Sequence, residues 1–294
     1  MKSEHSHLNE RRQDMNPEDF KEILYQKEDN GIVTVTINMP KRKNAVSLYT
    51  FFELFWAADA MEKDESAAVM ILTGAKDPDS ADPTKEAFSS GGYFNPAAME
   101  GLSEEVKAQL DPTDIAQAKF TLKMWQFDKP VIAAVNGLAI GGAFTMCLSC
   151  CDLIYCSEHA WASLPFIGLG IIPELASSYI LPRIIGFQRA KEIMFFSERI
   201  TAQQLFDLGL INKVLPHDEL LPYARERALK LIPPQGAGYA VRMAKRALHQ
   251  PLLEAVTTAL DMENKGLREA FNTADFAEAL TARIEKREPA FKGR

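Results

Sequence analysis

In the stretch LPFIGLGIIPELASSYILPR, Leu164 to Arg183, the one acidic side chain is Glu174, set among aliphatic neighbours. A carboxylate placed there loses several kcal/mol of hydration unless it is paired or used, so the position calls for a role. Proton transfer is one such role, with Glu174 as a catalytic base. The structural alternative is capping, because Pro173-Glu174 suits the first turn of a helix running through ELASSYIL. There a carboxylate meets the positive end of the helix dipole, an effect of about 0.3 to 1 kcal/mol.

Two glycine-bearing turns could serve the same chemistry. AFSSGGYF (Ala87 to Phe94) carries Gly91-Gly92, which lets a ligand approach the backbone closely. NGLAIGGAFTM (Asn136 to Met146) places Gly141-Gly142 at the predicted start of a helix. Its first N–H groups lack intrahelical partners and could hold a developing oxyanion. Neither turn fits GxGxxG or a P-loop, so nothing points to a dinucleotide or nucleoside triphosphate. The run Lys41, Arg42, Lys43 in MPKRKNAVS is either a solvated loop or the seat of a phosphate-bearing ligand.

Other chemistries lack their residues. The five histidines are scattered, and no Ser-His-Asp or Cys-His arrangement emerges from the sequence. Cys147, Cys150, Cys151 and Cys156 crowd into one apolar segment without the paired spacing of a zinc site. They read as buried reduced thiols, and no metal is expected.

The elements that must position these residues alternate in type. GIVTVTIN (Gly31 to Asn38) has the period-two pattern of a half-buried strand, and Ser47 caps a helix through SLYTFFELFWAADAMEKD. The strand AAVMILTG follows. After Lys129-Pro130 come the strand VIAAV, a glycine turn, a helix from near Gly142 and the strand DLIYC. Thr201 and Gln204 form a capping box for a short helix ended by Gly209, before LINKV. Four helical patterns occupy the remainder. The expectation is an α/β core at 21–222 and a helical part at 223–294, preceded by a disordered tail at 1–20.

Composition narrows the function classes. In 294 residues, 47% are hydrophobic and 25% charged, the balance of a globular chain large enough for a sizeable core. A net charge of -7 argues against a nucleic-acid partner. Val131 to Cys151 is uncharged, but its glycine pairs break it into a strand and a helix, so no membrane span is expected. The first residues lack the apolar region of a signal peptide, and with the reduced thiols this gives a cytoplasmic expectation.

Taken in order, VTVTINMPKRKNAVS, AFSSGGYF, KPVIAAVNGLAIGGAFTM, CDLIYC, GLGIIPELASSYILPR and ITAQQLFDLGLINKVLP resemble the crotonase, or enoyl-CoA hydratase/isomerase, superfamily. The ending EKREPAFKGR resembles its last helix. The resemblance implies a spiral of strand-strand-helix units, a C-terminal helical trimerisation region and a homotrimer or dimer of trimers. It implies an acyl-CoA thioester ligand, with coenzyme A as part of the substrate and no separate cofactor. The N–H groups of Gly92 and Gly142 match those that hold the thioester oxygen. Lys41, Arg42 and Lys43 match part of the CoA phosphate site, with further contacts implied at Ala45, Ser90, Gly91, Tyr93, Phe94, Phe291 and Lys292.

Departures from the family pattern decide the expected reaction. Hydratases of this family use two glutamates, and the matching positions here are Thr145 and Phe166. The acid stands instead at Glu174, where the sequence resembles single-glutamate Δ3,Δ2-enoyl-CoA isomerases. The expected activity is conversion of 3-enoyl-CoA to 2-trans-enoyl-CoA. A ring-isomerising homologue, an enoyl-CoA hydratase and a non-catalytic acyl-CoA-binding protein are the alternatives. Tyr93 stands where many relatives have aspartate, so detailed loop contacts do not carry over.

Overall fold

The computed structural model describes residues 15–93, 100 and 102–293. Along the chain run β1 (Ile23–Lys27), β2 (Ile32–Ile37), α1 (Leu48–Lys63), β3 (Val69–Gly74), β4 (Ala87–Ser89), α2 (Glu104–Lys107) and α3 (Ala118–Gln126). Next are β5 (Val131–Val135), β6 (Leu138–Ile140), α4 (Gly142–Cys150), β7 (Leu153–Ser157), β8 (Trp161–Ser163), α5 (Ser177–Ile185) and α6 (Phe187–Phe196). The chain closes with β9 (Ile200–Thr201), α7 (Ala202–Asp207), β10 (Lys213–Leu215), α8 (Leu220–Leu229), α9 (Gly238–His249), α10 (Leu253–Ala270) and α11 (Ala274–Glu285).

Two sheets form the core. The larger has the order β1-β2-β3-β5-β7-β10, parallel except for β1 against β2, and the smaller is β4-β6-β8-β9. Each turn of the chain gives a strand to the large sheet, then one to the small sheet, then a helix: β3-β4-α3, β5-β6-α4 and β7-β8-α5. This is the strand-strand-helix spiral. β3 and β5 are buried along their whole length, as helices covering both faces of a parallel sheet require.

Local chemistry explains the helix ends. Ser47 Oγ accepts the N–H groups of Tyr49 and Thr50 at 3.1 Å, and Thr50 Oγ1 accepts that of Ser47 at 2.8 Å. Thr201 and Gln204 form the capping box expected for α7. The stretch 131–151 becomes β5, β6 and α4, and among the described residues no helix is long and apolar enough to cross a membrane. The turn between β5 and α4 thus contains a short strand, β6, that its glycines conceal in the sequence.

Two boundaries differ from expectation. Residues 15–20 do not behave as tail: Pro17–Asp19 form a turn, and Met15 and Phe20 pack on the aromatic cluster of Tyr49, Phe52 and Trp56. Buried Glu53 fixes the chain there by accepting the N–H groups of Lys21, Glu22 and Ile23 at 2.6, 2.8 and 3.0 Å. The remainder of the expected tail, 1–14, lies outside the described residues. At the other end α8 belongs with the core, since Leu220, Ala224 and Ala228 pack against Ile71, Ile132 and Tyr155 of the large sheet. The helices that follow also rest on the core, with Val256, Leu260 and Leu267 of α10 buried in it.

Candidate active site

At the end of β4 the chain turns through Ser90, Gly91 and Gly92. Gly91 adopts φ +85°, a conformation that a side chain would strain. Its carbonyl accepts the N–H of Val46 at 2.9 Å, and the Val46 carbonyl accepts the N–H of Tyr93 at 2.7 Å. These two bonds straddle Gly92, whose own N–H donates to no described residue.

The second donor comes from the start of α4. Gly141, at φ +54°, swings the chain from β6 into the helix, and its N–H goes to the Ser163 carbonyl at 2.8 Å. The N–H of Gly142, the first residue of α4, has no acceptor among the described residues. It lies at the positive end of a buried helix, where negative charge is favoured.

Gly92, Gly142 and Glu174 line one cavity of about 360 Å³, together with Ser90, Gly91 and Phe166. A side-chain carbon at Gly142 would fall on Glu174 Oε1, so the absent Cβ makes the room that the carboxyl fills. Glu174 is half-buried, and its open surface faces the cavity. Its carboxyl accepts no hydrogen bond from any described residue. Burial pushes it up to about 8, and the nearby charge of Glu263 adds to the rise.

Glu174 does not lie in the first turn of a helix. α5 begins at Ser177, after Leu175 and Ala176, both in the left-handed region at φ +59°. Glu263 of α10 meets the start of α5 instead: its carboxyl accepts the N–H of Ala176 at 2.7 Å and that of Ser178 at 3.0 Å. The capping requirement is met from elsewhere, which leaves the Glu174 carboxyl unengaged and facing the cavity.

The other expected site residues divide. Arg42 is not a free phosphate ligand, because it pairs with Glu22 and lies 4.3 Å over the Tyr93 ring. Lys41 and Lys43 are exposed beside the turn, with the Lys43 carbonyl accepting the Ser90 N–H at 2.9 Å, and Ala45 is buried behind them. Phe94 lies outside the described residues. Phe291 and Lys292 do not line the cavity; the Lys292 N–H is held by Asp275 at 2.6 Å, folding the chain end onto the start of α11. Thr145 is fully buried, with its hydroxyl 3.3 Å from the Gly141 carbonyl, and Phe166 packs at the cavity wall.

Sequence reasoning missed three charged residues. Arg283 of α11 and Arg287, just past its end, bring two guanidinium groups to the cavity, alongside small Ala279 and Ala282. Arg287 pairs with Glu278 and Glu285, whereas Arg283 has no ion-pair partner among the described residues. The four-residue spacing of the alanine and arginine positions is the signal that was available. Glu263 interrupts the buried stripe Val256, Leu260, Leu267 at helical spacing, the same kind of anomaly that draws attention to Glu174.

One arrangement absent from the sequence reading does form. His217 Nδ1 lies 3.1 Å from Ser157 Oγ, and its Nε2 lies 3.3 Å from Glu86. Ser157 is fully buried and does not line the cavity, so this chain of contacts ties strand ends together.

The Enoyl-CoA hydratase/isomerase family matches residues 27–294. The chain belongs to that family. This family member is similar to a short-chain-enoyl-CoA hydratase of Clostridium acetobutylicum, 33% identical over 273 residues and covering 92% of this chain and 98% of the relative. It is similar also to 2,3-dehydroadipyl-CoA hydratase of Escherichia coli, 32% identical over 263 residues, with 90% and 96% covered. Among solved structures, an enoyl-CoA hydratase/isomerase from Pseudoalteromonas atlantica shares the fold with a TM-score of 0.78 at 26% identity, covering 92% of this chain and all of that one. The family fold therefore carries, in this member, a cavity whose sole carboxyl among the described residues is Glu174.

Proposed function

We propose that the protein isomerises 3-enoyl-CoA to 2-trans-enoyl-CoA through Glu174. The observation that carries this reading is an unbonded carboxyl beside two unpaired backbone donors, in a cavity with no other described acid. The C2 proton of a 3-enoyl thioester is acidified by the carbonyl and by the neighbouring double bond. Glu174 takes it; the C2–H electrons form C1=C2 and the carbonyl pair moves onto the thioester oxygen, giving a dienolate, which on collapse of that oxyanion forms C2=C3 while the C3=C4 pair takes a proton at C4. The N–H groups of Gly92 and Gly142 are the donors for that oxygen, each worth about 3 kcal/mol in comparable sites. The same carboxyl then returns the proton at C4, which completes the shift without a second acid.

Acyl-CoA as substrate class is supported by family membership and by the names of both hydratase relatives. Arg283 at the cavity, with exposed Lys41 and Lys43 beside the Gly91-Gly92 turn, would supply positive charge for its phosphates. The exposed apolar residues Tyr239, Leu248 and Met262 on α9 and α10 support assembly into trimers through the C-terminal helices. A light-scattering mass of one chain would contradict that assembly.

Hydration is the second reading, favoured by the relatives' names. Against it, neither Thr145 nor Phe166 can activate water, and the apolar wall at Phe166 and Leu169 discourages it. The deciding experiment compares 3-enoyl-CoA isomerisation with 2-enoyl-CoA hydration on one preparation. Isomerisation is expected to be far faster; hydration at an equal or greater rate overturns the proposal.

A further inference from the structure

Glu263 is 2% exposed, yet it belongs to a helix remote in sequence from the site. Its carboxyl takes the Ala176 N–H, the Ser178 N–H and the Ser178 hydroxyl, and all three donors lie within four residues of Glu174. The turn that follows Glu174 runs through Leu175 and Ala176, both in the left-handed region that non-glycine residues rarely adopt. The Leu175 N–H is held by the Ala116 carbonyl at 3.2 Å, and Asn264, next to Glu263, accepts the Ala116 N–H at 2.8 Å. α10 therefore grips both sides of the turn. Strained turns of this kind persist where their surroundings over-determine them.

We propose that Glu263 is the positioning residue of this site, a buried carboxylate through which the C-terminal helical region fixes where the Glu174 carboxyl stands and how readily it ionises. The proposal rests on the reading of Glu174 as the base. Burial raises the Glu263 carboxyl above the ordinary carboxylate range, but three donors stabilise its charge and none stabilises that of Glu174, so Glu263 ionises first and opposes ionisation of its neighbour.

The other charged groups around the pair are engaged or at the rim. Asp114, before α3, accepts from Asn264, and Lys119 and Lys123 of α3 lie over Phe55. Lys123 also pairs with Asp59 and Glu62 of α1. Arg183 of α5 stacks on Tyr179, and Arg268 of α10 donates to the Thr113 carbonyl. Arg283 of α11 and Arg287, just past its end, face the cavity. The arrangement leaves Glu263 as the nearby group that raises the Glu174 pKa by its charge.

The test is a carbon-13 NMR titration of the Glu174 carboxyl in glutamate-labelled protein, assigned by loss of its signal in Glu174→Gln, alongside the pH profile of kcat. Glu263→Gln keeps one acceptor oxygen and removes the charge. The Glu174 midpoint is expected to fall by about one pH unit, so that the ionised fraction at pH 6 rises about tenfold while the plateau rate falls. Ser178→Ala, which withdraws one donor and makes Glu263 easier to protonate, is expected to move it the same way by less, and serves if the first variant does not fold. A midpoint unchanged in a folded variant of an active isomerase overturns the role of Glu263 alone. A wild-type protein without isomerase activity whose Glu174 midpoint still shifts with Glu263→Gln overturns the isomerase reading and leaves the positioning intact.

Discussion

The carboxyl of Glu174 occupies the space that a side chain on Gly142 would need. The contact joins the proposed base to one of the two proposed oxyanion donors, so the groups that would take the proton and the charge are held against each other. Gly142 thus has two duties: it presents an N–H from the helix start, and its missing Cβ admits Glu174.

Gly142→Ala separates these duties from helix propensity. At an ordinary helix position alanine is favoured over glycine by about 1 kcal/mol. Here it is expected to displace the Glu174 carboxyl, lower kcat at least a hundredfold and fail to raise the melting temperature. Wild-type turnover in a variant of raised melting temperature would contradict the contact.

Acidity follows from the same environment. The folded protein holds the Glu174 proton up to about pH 8, whereas the unfolded chain releases it near the ordinary carboxylate value of 4.5. In that window the folded state binds more protons, so this group makes stability fall as pH rises, by at most about 1.4 kcal/mol per unit. As the proposed base, Glu174 must be ionised to act, so kcat/KM is expected to rise through the same window and level off above pH 8. Glu174→Gln is expected to flatten the stability slope. A profile flat from pH 6 to 9 would contradict the assigned acidity.

Much of this was legible in the sequence because it rests on local rules. The alternation in IVTVTI, the Ser47 and Thr201 caps and the apolar VIAAV are patterns a few residues long, and each forms the expected element. Glu174 and the two glycine turns stood out because an acid among aliphatics and paired glycines are locally improbable. The partner that caps α5 was not legible, since Glu263 lies 87 residues from Ala176 and only the packing of α10 on α5 brings them together. Arg42 was misread for the same reason: its engagement by Glu22 and Tyr93 depends on how three segments meet.

Arg283 replaces Arg42 as the cation to test. Arg283→Glu is expected to raise KM for CoA esters about tenfold with kcat little changed, because a contact made equally in ground and transition states affects binding alone. Arg42→Glu is expected to lower the melting temperature instead, by placing two acids together with Glu22. Unchanged KM in the Arg283 variant would remove α11 from the CoA site.

Glu174→Gln tests the central claim most directly. It keeps the volume of the side chain and removes the capacity to accept the C2 proton. General acid-base groups contribute about 100 to 10,000-fold, and a sole base is expected at the upper end, so kcat for 3-enoyl-CoA isomerisation should fall about 10,000-fold with acyl-CoA affinity nearly intact. A folded Gln variant retaining more than about a tenth of wild-type turnover would contradict the account.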